Sequence, residues 1–143
     1  MNPSVLAVDD SVAMRHILEA TLTSAGYQAT LAEDGRDALR KAVEAAPAGG
    51  FDLILTDQNM PGLTGLELIC ALRELSPYVD TPILLLTTED SDSFKEAARN
   101  AGATGWLLKP LDPQVLTDVL ANLRESLNAA LGADAQISDP SHT

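Results

Sequence analysis

Base is scarce in this chain. Nine lysines and arginines stand against 21 aspartates and glutamates over 143 residues, a formal net charge of −12. A surface so short of cations cannot neutralise phosphates in series, which excludes nucleic acid and anionic membranes as partners held by long-range attraction. Cysteine is scarcer still. Cys70 alone rules out an internal disulfide and a cysteine-built zinc site, and fits a reducing compartment. No stretch approaches ~18 consecutive apolar residues, so no membrane span is expected. The Met-Asn-Pro-Ser start lacks both the basic region and the long apolar core of a secretory signal, and the expected compartment is the cytoplasm. Aromatics make up 3% of the residues against 45% hydrophobic, so the expected core is Leu, Ile, Val and Ala, enough to exclude wholesale disorder. The length suits one domain, and the acid excess prompts a search for a bound cation.

What is present is an alternation. Ser4 to Val8 is a short β-branched run stopped by Asp9-Asp10, the pattern of a strand buried on both faces. From Ser11 the period becomes helical, with Val12, Ile17, Leu18 and Leu22 in one apolar sector and Gly26 placed to end the helix. Tyr27 to Ala32 is a less apolar strand, expected at an edge. Gly35 to Ala46 follows as a helix with Ala38, Leu39, Ala42 and Val43 inward, closed by Pro47 and Gly49-Gly50. Phe51 to Asp57 is the next strand, then the turn-rich Gln58-Asn59-Met60-Pro61-Gly62 and a helix from about Leu63 to Leu75 with Cys70 on its apolar stripe. Pro82 to Thr87 and Thr104 to Leu108 are the last strands. Ser91 to Ala101, capped by Gly102, and Pro113 to Leu131 are the last helices. Residues 1–131 are expected to form the domain, and the small, polar, aperiodic residues 132–143 a disordered tail.

Five strands alternating with five helices predict an α/β fold, a doubly wound parallel sheet with helices on both faces. In such sheets a site lies beyond the C-terminal strand ends. The reactive residues collect there. Asp9 and Asp10 follow strand 1, Asp57 ends strand 3, Thr87 ends strand 4 and Lys109 follows strand 5. Three carboxylates aimed at one spot repel each other, and a hard divalent cation relieves that. Oxygen ligands without a Cys or His cluster point to magnesium, which shares its shell with water and phosphate. Thr87 offers a hydroxyl donor and Lys109 a cationic donor, both suited to phosphoryl oxygens. A carboxylate beside a metal can itself be the nucleophile of phosphoryl transfer. Taken singly, each residue has an ordinary explanation: a turn, a loop cap, a strand-end hydroxyl, a solvated lysine. Their gathering at one edge is what argues against it.

Val8-Asp9-Asp10-Ser11, the block from Asp52 through Asp57 to Pro61-Gly62 and Gly65, Thr87-Thr88 and Lys109-Pro110 together resemble the receiver domain of two-component response regulators, over about Ser4 to Leu127. Within that family, Asn59, Glu89, the run Ala101 to Trp106 and the lack of an attached output domain are similar to the single-domain chemotaxis regulators of CheY type. The resemblance implies the flavodoxin-like sheet order 2-1-3-4-5. It implies that Asp57 accepts a phosphoryl group from a phosphohistidine of a CheA-like sensor histidine kinase. Mg²⁺ would be held by Asp10, Asp57 and the backbone carbonyl of Asn59, with Asp9 acting through water. Lys109 and Thr87 would meet the phosphoryl oxygens, Lys109-Pro110 would be a cis peptide, and Asn59 and Glu89 would tune dephosphorylation. Trp106 falls at the family's switch position, where Tyr or Phe is usual, and an indole there is either a moving switch or a fixed partner-binding aromatic. Partner specificity is expected on helices 4 and 5, around Ala97, Ala98, Trp106, Val115 and Asp118.

The expected function is a monomeric, stand-alone phosphorylation switch that catalyses only its own phosphorylation and dephosphorylation and signals by binding protein, such as a flagellar motor switch or a phosphatase. A DNA-binding output needs a further basic domain that neither length nor charge provides. A phosphate sink or kinase-regulating receiver would use the same active residues. A magnesium-dependent aspartyl phosphohydrolase is the alternative from another class, but Asp57-Gln58-Asn59 lacks the second aspartate of such enzymes and no insertion is long enough for a substrate cap.

Overall fold

The computed structural model describes residues 2–132. Its strands are β1 (Ser4–Val8), β2 (Gln28–Ala32), β3 (Leu53–Asp57), β4 (Ile83–Thr87) and β5 (Gly105–Leu108). The helices between them are α1 (Val12–Ser24), α2 (Gly35–Ala45), α3 (Gly65–Arg73), α4 (Asp92–Ala101) and α5 (Pro113–Gly132), with 3₁₀ turns at Ala46–Ala48 and Ser76–Tyr78. All four strand pairings are parallel, in the order β2-β1-β3-β4-β5, as expected. The tail expected from residue 132 lies outside the described residues, apart from Gly132 itself, which α5 includes. Among the described residues no helix is long and apolar enough to cross a membrane.

Alternation along each strand divides the core into two layers. Leu6, Val8, Ile54, Ile83 and Leu85 face α2, α3 and α4, where Ala38, Ala42, Leu68, Ile69, Leu72 and Ala98 meet them. Val5, Ala7, Leu53, Leu55, Leu84 and Leu86 face α1 and α5, against Leu18, Leu22, Leu116 and Leu120. Each such leucine or isoleucine removed from water is worth about 1.5–3 kcal/mol, so the two layers together hold the sheet central.

Local chemistry sets the helix ends. Ser11, Asp34, Thr64 and Ser91 cap the N-termini of α1, α2, α3 and α4, each side chain accepting from a backbone N–H three residues on. Thr64 and Glu67 form a reciprocal capping box, which starts α3 at Gly65 rather than at Leu63. Gly26, with φ at +93°, takes the left-handed place after α1, where its N–H and that of Tyr27 satisfy the carbonyls of Thr23 and Leu22.

Four inward assignments are corrected. Val12 and Ile17 are 61% and 49% exposed, because the buried line of α1 runs through Leu18 and Leu22, and at about 100° per residue those two side chains stand on its shoulders. Val43 is 55% exposed for the same reason beside Ala38 and Ala42. Cys70 is exposed, on the far side of α3 from Leu68, Ile69 and Leu72, in a groove with Leu66 and Ala101. The reverse correction applies to Ala98, which is fully buried and offers no surface to a partner.

Candidate functional site

The sheet register builds the site. Val8 pairs with Thr56, so the next residue on each strand, Asp9 and Asp57, emerges beside the other at the C-terminal edge. Asp57 pairs with Leu86, and Thr87 with Leu108, which brings Thr87 and Lys109 to the same edge. Backbone bonds tie the strand ends together: Gln58 N–H to the Leu86 carbonyl at 2.9 Å and Lys109 N–H to the Thr87 carbonyl at 2.8 Å.

Asp9, Asp57 and Thr87 are buried, whereas Asp10 is exposed. One carboxylate oxygen from each of Asp9, Asp10 and Asp57 lies within 4.8 Å of the others. Lys109 Nζ donates to Asp57 Oδ1 at 2.5 Å, compensating one of the three acids. Asp9 Oδ1 accepts from the Ser11 N–H at 2.9 Å, yet its buried Oδ2 has no hydrogen-bond partner among the described residues. Burial pushes the Asp9 carboxyl above its ordinary value, the Ser11 N–H pulls it back, and the neighbouring Asp57 charge raises it further. A buried acceptor left open among like charges is costly in a folded protein. The donor set, oxygen only and with an oxygen to spare, fits a hard divalent cation such as Mg²⁺.

The remaining expected residues lie on β4, β5 and the turns that leave β3 and β4. Thr87 Oγ1 accepts from the Glu89 N–H at 2.9 Å, which fixes the hydroxyl at the turn leaving β4. Asn59 and Glu89 are exposed, two residues beyond Asp57 and Thr87 respectively. The Lys109-Pro110 bond is cis. Trp106 sits on β5 opposite Leu85, half-buried against the α4 layer. Alternation puts Trp106 on the same sheet face as Leu85 and Thr87, next to the site but outside the acidic cluster.

Three groups have positioning roles that the sequence did not assign. Arg15 donates to the Asp9 carbonyl at 2.7 Å, pinning the acidic turn from α1. Gln58 Oε1 accepts from the Leu66 N–H at 3.0 Å, and the Gln58 carbonyl accepts from the Gly65 N–H at 3.0 Å, so the residue after Asp57 caps α3. Gly65 is required there, since a Cβ would lie 2.5 Å from the Asp57 carbonyl oxygen and 2.9 Å from Gln58 Cα. Only Gly65 left a sequence signal, a glycine at a helix start following an acidic strand end.

The family model described as the response regulator receiver domain matches residues 5–121. Among curated proteins, the chemotaxis protein CheY of Pseudomonas aeruginosa is 37% identical over 126 residues, 87% of this chain and 98% of that protein. Among solved structures, the chemotaxis protein CheY4 of Vibrio cholerae is 47% identical with a TM-score of 0.78, covering 85% of this chain and 98% of that one. The receiver domain of a sensor histidine kinase from Pseudomonas aeruginosa, solved with magnesium coordinated in its active site cleft, is 30% identical with a TM-score of 0.71, covering 85% and 97%.

Proposed function

The chain belongs to the response regulator receiver family, and on that premise we propose that it is a phosphorylation switch in which Asp57 is the phosphoacceptor. The observation that carries this is the meeting of Asp9, Asp10 and Asp57 with Lys109 at one sheet edge, three acids with a single cation bound to the acceptor. Asp10, Asp57 and the Asn59 carbonyl would hold Mg²⁺, with Asp9 acting through water. Bound there, Mg²⁺ supplies neutralising charge and a Lewis acid for a phosphoryl oxygen.

The donor is a phosphohistidine on a CheA-like sensor kinase. As the N–P bond breaks, the imidazole nitrogen keeps the electron pair, and an Asp57 carboxylate oxygen forms the new O–P bond. Lys109 holds Asp57 Oδ1 and so orients the carboxylate whose oxygen attacks. After transfer Lys109 pairs with the phosphoryl oxygens, and the Thr87 hydroxyl leaves its turn to donate to one of them. Trp106, on the same sheet face as Thr87, follows into the space released. Hydrolysis by water returns Asp57 and inorganic phosphate, at a rate set in part by Asn59 and Glu89 beside the approach.

The phosphorylated form binds a protein target in the cytoplasm as a monomer. Its similarity to the CheY proteins of Pseudomonas aeruginosa and Vibrio cholerae favours chemotaxis, with the flagellar motor switch as target. Incubation with Mg²⁺ and acetyl phosphate, followed by intact mass measurement, should show one phosphoryl adduct in the wild type and none in Asp57→Asn. An adduct that survives Asp57→Asn would overturn the assignment.

A further inference from the structure

Trp106 is the only tryptophan of the chain, and its ring is held from outside the core. On one side it packs against the layer containing Phe94, Ala98, Ala101 and Ala103. From the last turn of α4, the guanidinium carbon of Arg99 stands 5.6 Å from its ring centroid. At that separation the ring quadrupole attracts the cation, and indole is the aromatic that does so most strongly. Among the described residues no ion pair competes for Arg99, although Glu96 is three residues away on the same helix. The ring contact is therefore what orients this exposed side chain. Trp106 in turn pairs with Leu85, two residues before Thr87 on the same face of β4.

We propose that Arg99 is a positioning residue, clamping the Trp106 indole against α4 in the resting protein and thereby setting how readily the chain passes to its phosphorylated conformation. This rests on the receiver reading, in which Thr87 and Trp106 move together. A group that stabilises one ring position opposes the other by the same interaction, and phosphorylation must work against it. An exposed cation–π contact corresponds to a population ratio of about two- to five-fold. The clamp is independent of the acidic cluster, so it can be removed without touching a phosphoryl or metal contact.

Uniform 5-fluorotryptophan labelling gives a single ¹⁹F resonance, because Trp106 is alone. Arg99→Ala places a good helix former at an exposed position, and the variant should fold. Without phosphodonor its resonance should lie displaced from the wild-type resting position toward the phosphorylated one. Its rate of adduct formation with acetyl phosphate should rise about two- to five-fold. Arg99→Lys, which keeps the positive charge, should lie between the two proteins. Resting resonance and rate both at wild-type values in Arg99→Ala would overturn the clamp, as would equal effects of Ala and Lys. Failure of the wild type itself to take an adduct would overturn the receiver reading, and the clamp with it.

Discussion

The two ends of the sheet differ in what their polar groups do. At the N-terminal end side chains close many backbone requirements, although the buried Nε of Arg124, beside Gly26, has no partner among the described residues. The Asp52 carboxylate accepts from both the N–H and the hydroxyl of Ser4, at 2.9 and 3.3 Å, and Thr104 Oγ1 accepts from the Ile83 N–H at 3.0 Å. Arg73 alone donates to the carbonyls of Tyr78, Thr81 and Gly102 at 2.6–3.0 Å, fastening α3 to the approach to β4 and to the end of α4. The Tyr27 and Tyr78 hydroxyls reach the carbonyls of Leu120 and Ala42, each at 2.7 Å. At the C-terminal end, three acids crowd one another and a buried Asp9 oxygen has no partner among the described residues. Stability is concentrated where the strands begin, and binding capacity where they end. One fold thereby holds a group of charges that could not assemble by itself.

Breaking the closed end should have the largest effect. Arg73→Ala strands three carbonyls in partly buried surroundings and is expected to cost about 3–5 kcal/mol in urea denaturation, while the folded fraction still takes a phosphoryl group. Loss of phosphorylation per folded molecule would show that the two ends are not separable. Next in size is a pH effect. Burial raises the Tyr27 phenol to about 12, so its folded pKa lies above the unfolded value near 10. The unfolded chain therefore loses this proton first. Stability is intact below pH 10 and falls by about 2–3 kcal/mol as pH rises toward 12, and Tyr27→Phe should lack that component of the fall. Gly65→Ala attacks the open end through its support. A Cβ against the Asp57 carbonyl should cost about 1–3 kcal/mol and, unlike Arg73→Ala, reduce phosphorylation of the folded molecules by displacing Asp57.

Much of this contrast could be read before the structure. The acids at strand ends, the capping residues and the glycines closing α1 and α4 are local signals, fixed by a few neighbouring residues; Asp9, Asp10, Asp57 and Lys109 meet, and Thr87 ends at the same sheet edge. What escaped depends on rotation or on distance along the chain. Val12, Ile17, Val43 and Cys70 are apolar residues of helices that expose one shoulder, and composition cannot say which shoulder the sheet takes. Arg73 meets Gly102 across 29 residues, and Arg99 meets Trp106 only because α4 returns along β5. Gln58 acts through α3, a helix whose start at Gly65 was itself misplaced by two residues.

The smallest expected change is also the most informative. Without metal, Asp9→Asn removes one charge from the cluster and should stabilise the protein by about 1–2 kcal/mol. Thermal unfolding of wild type and Asp9→Asn across a Mg²⁺ series at constant ionic strength then tests whether the open end exists to take a cation. The wild-type Tm should climb with Mg²⁺, by the equivalent of about 2.7 kcal/mol when the ion reaches a hundred times its dissociation constant. Asp9→Asn should start higher and climb less. A wild-type Tm indifferent to Mg²⁺ would contradict the assignment of this edge as a cation-dependent phosphoryl site.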